Sequence, residues 1–222
     1  MSEDMYLTKI KIMTFLECPH KFYEENILGL PKVVTQAMAE GKNIHSFIEN
    51  FWSIVNIENG EFSFPKVSID GGKEQICIKN FLNFQKKRFE YLKSLDKLEY
   101  FFPLYSEIKL KSDDLLILGV VDQIDKNLDD TLNLVEFKSN KNENSASFEI
   151  ELNFYKYLVE NTLGLNIING IVFFPFTNNI KRITLDGKVD IVSIINDIRE
   201  HIKNNDFKHN KNCNCRKSSH YR

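Results

Sequence analysis

Hydrophobic spacing divides the chain into helical and extended stretches. Thr8 to Glu25 carries Ile10, Ile12, Phe15 and Leu16 in apolar positions, then Cys18-Pro19 and an aromatic-basic cluster. Pro19 predicts a break between two short helices, because its ring removes a backbone donor. From about Val33 to Val55, Ile44, Phe47, Ile48, Phe51 and Val55 recur on one helical stripe, with His45 at its border. Glu58 to Gly72 holds Gly60, Pro65 and the Gly71-Gly72 pair and reads as a loop. Lys73 to Leu95 reads as a long helix in which Ile76, Phe81, Phe84 and Phe89 are packing positions and Cys77 shares their apolar setting. Tyr100 to Leu110 predicts a first strand, with Glu107 pointing out of its alternation.

The clearest extended signal lies between Leu115 and Lys138. Leu115 to Ile124 is an apolar run interrupted by Asp122, Leu132 to Phe137 is a second interrupted by Glu136, and the polar KNLDDT between them is a turn. This pattern predicts an antiparallel hairpin. With the turn centred near Asp129, facing residue numbers sum to 258, which sets Asp122 opposite Glu136. Lys138 falls on the same face, while Val135 and Phe137 point into the layer behind. A helix capped by Ser145 or Ser147 and closed by Gly164 follows, then strands at Ile167–Pro175 and Ile180–Leu185 and an amphipathic helix from Val189 to Ile202. The order strand, hairpin, helix, strand pair, helix predicts an α/β core with a mainly helical beginning.

Two carboxylates set in apolar strands are costly to desolvate without a compensating cation. Oxygen ligands from two carboxylates, a backbone carbonyl and a substrate phosphate suit Mg2+ or Mn2+, and a neighbouring lysine can orient or deprotonate a water and stabilise negative charge. That chemistry is phosphodiester hydrolysis. The competing explanation is a surface ion pair between Glu136 and Lys138, with Asp122 capping a turn.

Composition narrows the class further. A chain of 222 residues with 42% hydrophobic and 12% aromatic residues supports one sizeable core, hence one domain: residues 1–100 mainly helical, 101–203 the α/β core and 204–222 a basic, cysteine-containing tail. A formal charge of −2 excludes a global basic signature, although the tail from Lys203 to Arg222 carries a net +5. The acidic start MSEDMYLTKIK has no secretory apolar core, and Ile167 to Phe176 is too short to span a bilayer, so a cytoplasmic protein is expected. Four cysteines in that reducing setting are free thiols or metal ligands rather than disulfides. No G-x-x-x-x-G-K-[ST] loop is present, so any ATP-driven step belongs to a partner.

Taken together, G-x-V-D-Q-I-D at Gly119–Asp125 and V-E-F-K-S at Val135–Ser139 resemble the core of the PD-(D/E)XK nuclease superfamily, in its RecB-like branch. The resemblance extends to Gly41–His45 as a G-x-x-x-H motif, to Cys18-Pro19 with a following aromatic, and to Asn153 and Tyr157 at the position of a Q-x-x-x-Y motif, with asparagine for glutamine. It implies a restriction-endonuclease-like fold, a central mixed sheet flanked by helices, and a metal-dependent deoxyribonuclease. Asp122, Glu136, His45 and the Phe137 carbonyl would hold Mg2+ or Mn2+, Lys138 would position the attacking water, and Asn153 and Tyr157 would contact DNA. Glu107 is a minor candidate. Helicases or CRISPR adaptation proteins are the partners it suggests, with no membrane. In members with a 4Fe-4S cluster, one early and three late cysteines bind it. Here Cys18, Cys213 and Cys215 are followed only by His220, so a cluster, a zinc site and a metal-free terminus all stay open. The rival readings are a DNA-binding or assembly subunit of the same fold and a hydrolase of small phosphoesters.

Overall fold

A computed structural model describes residues 5–31, 36–58, 61–63, 71–139, 147–210 and 213. In chain order the elements are α1 (Lys9–Glu17), α2 (Pro19–Phe22), α3 (Gln36–Ile54), β1 (Asn56–Glu58), β2 (Glu61–Ser63), α4 (Gly72–Ser94), β3 (Tyr105–Ser112), β4 (Ile117–Lys126), β5 (Leu132–Phe137), α5 (Ser147–Leu163), β6 (Ile167–Phe174), β7 (Asn179–Thr184) and α6 (Ile191–Asn204). Strands β3-β4-β5-β6-β7 form one sheet in that order. Within this sheet β5 and β6 pair in parallel while the other neighbours are antiparallel, and α5 supplies the crossover that a parallel pair requires. This is the restriction-endonuclease-like α/β architecture that the resemblance implied, with a mixed sheet between helical layers.

The hairpin has the expected register. Gln123 faces Val135, Ile124 faces Leu134, Asp125 faces Asn133 and Lys126 faces Leu132. On one side of the sheet, Leu152, Leu158 and Val159 of α5 join Val121, Ile124 and Leu134, with Ile12 and Phe15 of α1 and Ile195, Ile198 and Ile202 of α6 in the same core. On the other side, Ile44, Ile48 and Phe51 of α3 and Phe81 of α4 cover Val135, Phe137 and Phe173. The opposite pointing of successive β5 residues thus separates Glu136 from its two apolar neighbours, as strand alternation requires.

The start of the chain is tied to the sheet. Leu7 bridges Ile117 in parallel, with Leu7 N–H donating to the Leu116 carbonyl at 2.8 Å and Leu118 N–H to the Leu7 carbonyl at 3.0 Å. Arg199 of α6 locks the same junction by donating to the carbonyls of Met5 (2.7 Å), Leu115 (3.1 Å) and Leu116 (2.9 Å). Thr8 then caps α1, its hydroxyl accepting from Lys11 N–H at 3.3 Å. These contacts fix the direction in which α1 leaves the sheet.

Several sequence expectations are corrected. The first strand begins at Tyr105, since Leu98–Tyr100 forms a 3-10 turn. Ile10 and Leu16 are exposed, because α1 buries the single face that carries Ile12 and Phe15. Ile76 is exposed for the same reason on α4, whereas Cys77, Phe81 and Phe89 are buried. The stretch expected to be a loop from Glu58 contains part of a small antiparallel hairpin, β1 with β2. Ser145 lies outside the described residues.

Candidate active site

The carboxylate of Asp122 sits where the β4/β5 ladder ends. Paired residues run from Lys126/Leu132 to Gln123/Val135, and the next available donor, Phe137 N–H, is taken by Asp122 Oδ2 at 3.0 Å. The strands diverge there and the side chain replaces a backbone acceptor. On the other side of β4, Ser106 pairs with Gln123 and Ile108 with Val121, so Glu107 stands opposite Asp122. Glu107 has φ +51°, a backbone conformation uncommon for a residue with a side chain, and such strain concentrates at functional sites.

Glu136 projects beside Asp122 from β5, and both are buried. Lys138 Nζ is 3.0 Å from Glu136 Oε2 and also contacts Glu151 Oε2 of α5. A second ammonium arrives from α1: Lys9 Nζ lies 3.1 and 3.0 Å from the two Glu136 oxygens, 3.6 Å from Glu151, and 4.8 Å from the centre of the Tyr155 ring. His45 of α3 completes the cluster, with Nδ1 4.0 Å from Asp122 Oδ2. In the G-x-x-x-H motif, Gly41 allows α3 to pass close to the end of β5, since a Cβ at that position would stand 3.1 Å from Ser139 Oγ.

Electrostatics follows from this packing. Burial drives the Asp122 carboxyl well above the usual carboxylate range, and the charge of Glu136 adds to the effect against the pull of Lys9. Burial opposes ionisation of Glu136 too, but Lys9 and Lys138 outweigh it and hold that carboxylate below its ordinary value. For both lysines burial acts downward, and the carboxylates around them, Glu136 foremost, turn the net direction upward. Burial lowers His45, favouring the neutral imidazole that can act as a ligand. Glu107 is raised to about 7 by burial and by the charges of Glu49 and Glu136. Burial and the same carboxylates push the Tyr155 phenol far up, so it remains a neutral hydroxyl.

The donor set fits a divalent cation. The two carboxylates are buried, and the half-buried imidazole stands 4.0 Å from Asp122 and hydrogen-bonds to the Phe137 backbone. These are oxygen and nitrogen donors of the type such an ion takes, although the ligand atoms of Asp122, Glu136 and His45 do not all lie within 4.8 Å of one another as they stand, with Lys9 and Lys138 on Glu136. Asp122, Glu136, His45, Lys138 and Phe137 are therefore brought together. Asn153 and Tyr157 are not part of this contact set. The Asn153 amide donates to the Glu149 carbonyl one turn back at 2.8 Å, and Tyr157 packs against the main core. What α5 presents to the cluster is Glu151 and Tyr155, two residues earlier, with the same four-residue spacing; a two-residue step turns a helix by about 200°.

Sequence reasoning missed Lys9, Glu49, Glu151 and Tyr155. E-x-x-x-Y was readable as the Q-x-x-x-Y spacing with glutamate for glutamine, whereas no local pattern marks Lys9. A separate group lies where the termini meet. One ligand atom from each of Cys18, His209 and Cys213 lies within 4.8 Å of the other two. Cys213 is disulfide-bonded here, against the expectation that the cysteines are free thiols or metal ligands, whereas Cys18 and Cys77 are thiols. His209, which also stacks on His20 at 3.8 Å, was not foreseen. Cys215 and His220 lie outside the described residues.

Comparison with known proteins gives the class. The family model described as PD-(D/E)XK nuclease superfamily matches residues 7–217. The chain belongs to that superfamily. Among solved structures, a protein named "Putative exonuclease" from Eubacterium rectale superposes with a TM-score of 0.55 at 11% identity, covering 100% of this chain and 90% of that one, which is a likeness of fold. No curated protein matches the sequence.

Proposed function

We propose that this protein is a divalent-metal-dependent deoxyribonuclease of the RecB-like branch, an exonuclease acting in DNA repair, recombination or CRISPR-related processing. The neighbourhood of the buried carboxylates Asp122 and Glu136 with the half-buried His45 and Lys138 carries this reading. Asp122, Glu136, His45 and the Phe137 carbonyl are the residues that would hold Mg2+ or Mn2+. When bound, the cation supplies Lewis-acid activation of the phosphate and of the attacking water. Lys138, steadied by Glu151, directs its ammonium to the attacking water and to the charge that develops on the phosphoryl oxygens. Glu151 and Tyr155 line the approach along α5. DNA is the substrate, and a helicase or CRISPR adaptation protein is the partner that would deliver it in the cytoplasm. Among the described residues, no helix is long and apolar enough to cross a membrane.

The test is incubation of the full chain with linear and circular, single- and double-stranded DNA in Mg2+, Mn2+ or EDTA. Cleavage of linear DNA that requires metal and releases short products is expected. Cleavage of circles would reject the exonuclease, and DNA binding without cleavage in either metal would leave a binding subunit.

A further inference from the structure

The sheet face opposite the catalytic cluster is only partly covered. Beside the patch where α3 and α4 pack on Val135, Phe137 and Phe173, a cavity of about 830 Å3 opens between α4 and the β4/β5 turn. Sites for small molecules commonly fall in the range of roughly 300–1,000 Å3.

Its floor is polar where a covered sheet face is ordinarily apolar. Cross-strand register lines up Asp125, Asn133 and Asn169 in one row, and Gln123, Val135, Ile171 and Arg182 in the next. Gln123 and Asn133 are each 2% exposed. Buried amides are costly unless hydrogen-bonded, and these two are held in fixed orientations: Gln123 Nε2 donates to Asp125 Oδ1 at 2.8 Å and Asn133 Nδ2 to Asn127 Oδ1 at 2.7 Å.

The α4 wall is less satisfied. Gln85 is 1% exposed, and its Oε1 is buried with no hydrogen-bond partner. Arg88 donates through Nη2 to the Tyr100 carbonyl at 2.9 Å and faces Asp125 at 3.4 Å, yet its Nη1 is buried without a partner. Buried orphans of this kind are rare in folded proteins, and two on one wall of a cavity point to a ligand. The lining carries Lys87, Arg88, Lys126 and Arg182 against Asp125 and Asp129, a net +2, with Arg88 facing Asp125 and Lys126 paired to Asp130 at 2.7 Å. Phe84, Tyr91 and Tyr100 add aromatic surface to the same walls.

We propose that this cavity binds a nucleoside monophosphate. The aromatic side chains supply a surface for a planar base, the unpartnered Gln85 amide oxygen supplies an acceptor for its edge, and Arg88 and Arg182 supply the phosphate site. The site lies across the sheet from Asp122 and Glu136, so it goes beyond the nuclease reading and does not depend on it.

Trp52 is the chain's one tryptophan, and its Nε1 donates to Gln123 Oε1 at 2.9 Å, so its fluorescence reports on the cavity floor. Full-length Asp122→Asn protein in EDTA is titrated with dAMP, dGMP, dCMP and TMP, and separately with the corresponding nucleosides and inorganic phosphate. A saturable change is expected for at least one monophosphate, about tenfold tighter than for its nucleoside or for phosphate alone. Arg182→Gln, on an exposed residue of β7, should weaken that binding about tenfold while circular dichroism and melting temperature stay unchanged. Gln85→Leu should weaken it as well. The absence of a saturable response to all four monophosphates would overturn the proposal, as would a response that survives Arg182→Gln. An equal response to inorganic phosphate would reduce the site to an anion pocket and overturn the nucleotide assignment.

Discussion

Lys9 and Glu136, 127 positions apart, meet in a two-pronged ion pair, with Lys9 Nζ at 3.1 Å from one carboxylate oxygen and 3.0 Å from the other. The ammonium thus covers the carboxylate that would be a ligand to a divalent cation, so a cation held there would compete with Lys9 for Glu136, while Lys9 keeps its contacts with Glu151 at 3.6 Å and the Tyr155 ring at 4.8 Å.

Replacing Lys9 by Met is therefore expected to tighten Mn2+ binding on the order of tenfold, equivalent to ~1.4 kcal/mol. The same change should destabilise the metal-free protein, because Glu136 loses one of its two ammonium partners in a buried site. Calorimetric Mn2+ titration and a melting curve without metal measure the two effects. Unchanged affinity would mean that Lys9 leaves the carboxylate at no cost.

Asp122→Ala and Lys138→Ala should each reduce DNA cleavage by roughly a hundredfold or more, the usual scale for one electrostatic or acid-base group. Asp122→Asn is the structural control, since an amide oxygen can still accept from Phe137 N–H while the ligand charge is lost. Full activity in both alanine variants, at undiminished melting temperature, would reject the assignment of the site.

The two faces of α5 make opposite predictions. Glu151→Gln should lower cleavage about tenfold through its contact with Lys138, and Tyr155→Leu, which removes the ring beneath Lys9, should act in the same direction. Asn153→Ala should instead cost ~1 kcal/mol of stability, the scale of one helix-face hydrogen bond, and leave the turnover rate alone. Steady-state kinetics on one linear DNA substrate, with melting temperatures beside them, decides which register of the motif serves the site. A large kinetic loss in Asn153→Ala or Tyr157→Phe would return the role to those residues.

At the termini, the group of Cys18, His209 and Cys213 is compact enough for a single ion once the Cys213 disulfide is reduced to a thiolate. Zn–S and Zn–N bonds of about 2.3 and 2.0 Å place tetrahedral ligands roughly 3.5 Å apart, whereas a four-iron cluster spreads its ligands over separate irons. Protein purified anaerobically under reducing conditions is expected to hold about one zinc per chain. His209→Ala should lower that content and the melting temperature together. Iron and sulfide near four per chain, with a brown visible spectrum, would establish the cluster instead.

What the sequence determined by itself is local in origin. The short turn around Asp129 leaves little freedom in how the two apolar runs pair, so the register from Gln123/Val135 to Lys126/Leu132 was legible, and with it the shared face of Asp122, Glu136 and Lys138. His45 was marked by the resemblance of Gly41–His45 to the family's G-x-x-x-H motif; four residues make about one helical turn, so the close approach allowed by Gly41 and the side chain of His45 fall on one face. The tertiary structure decided everything that joins distant segments. Periodicity identifies an apolar stripe but not which neighbour will cover it, so Ile76, a packing position by its spacing, stands in solvent. Nothing near Lys9 in the chain marks it as a partner of Glu136. It arrives there because Leu7 pairs with β4 and Arg199 clamps the junction, two long-range closures that aim α1 at the site. The facing side of α5 and the polar floor beneath α4 are set likewise by how helices dock on a twisted sheet, through packing contacts that single-segment spacing does not encode.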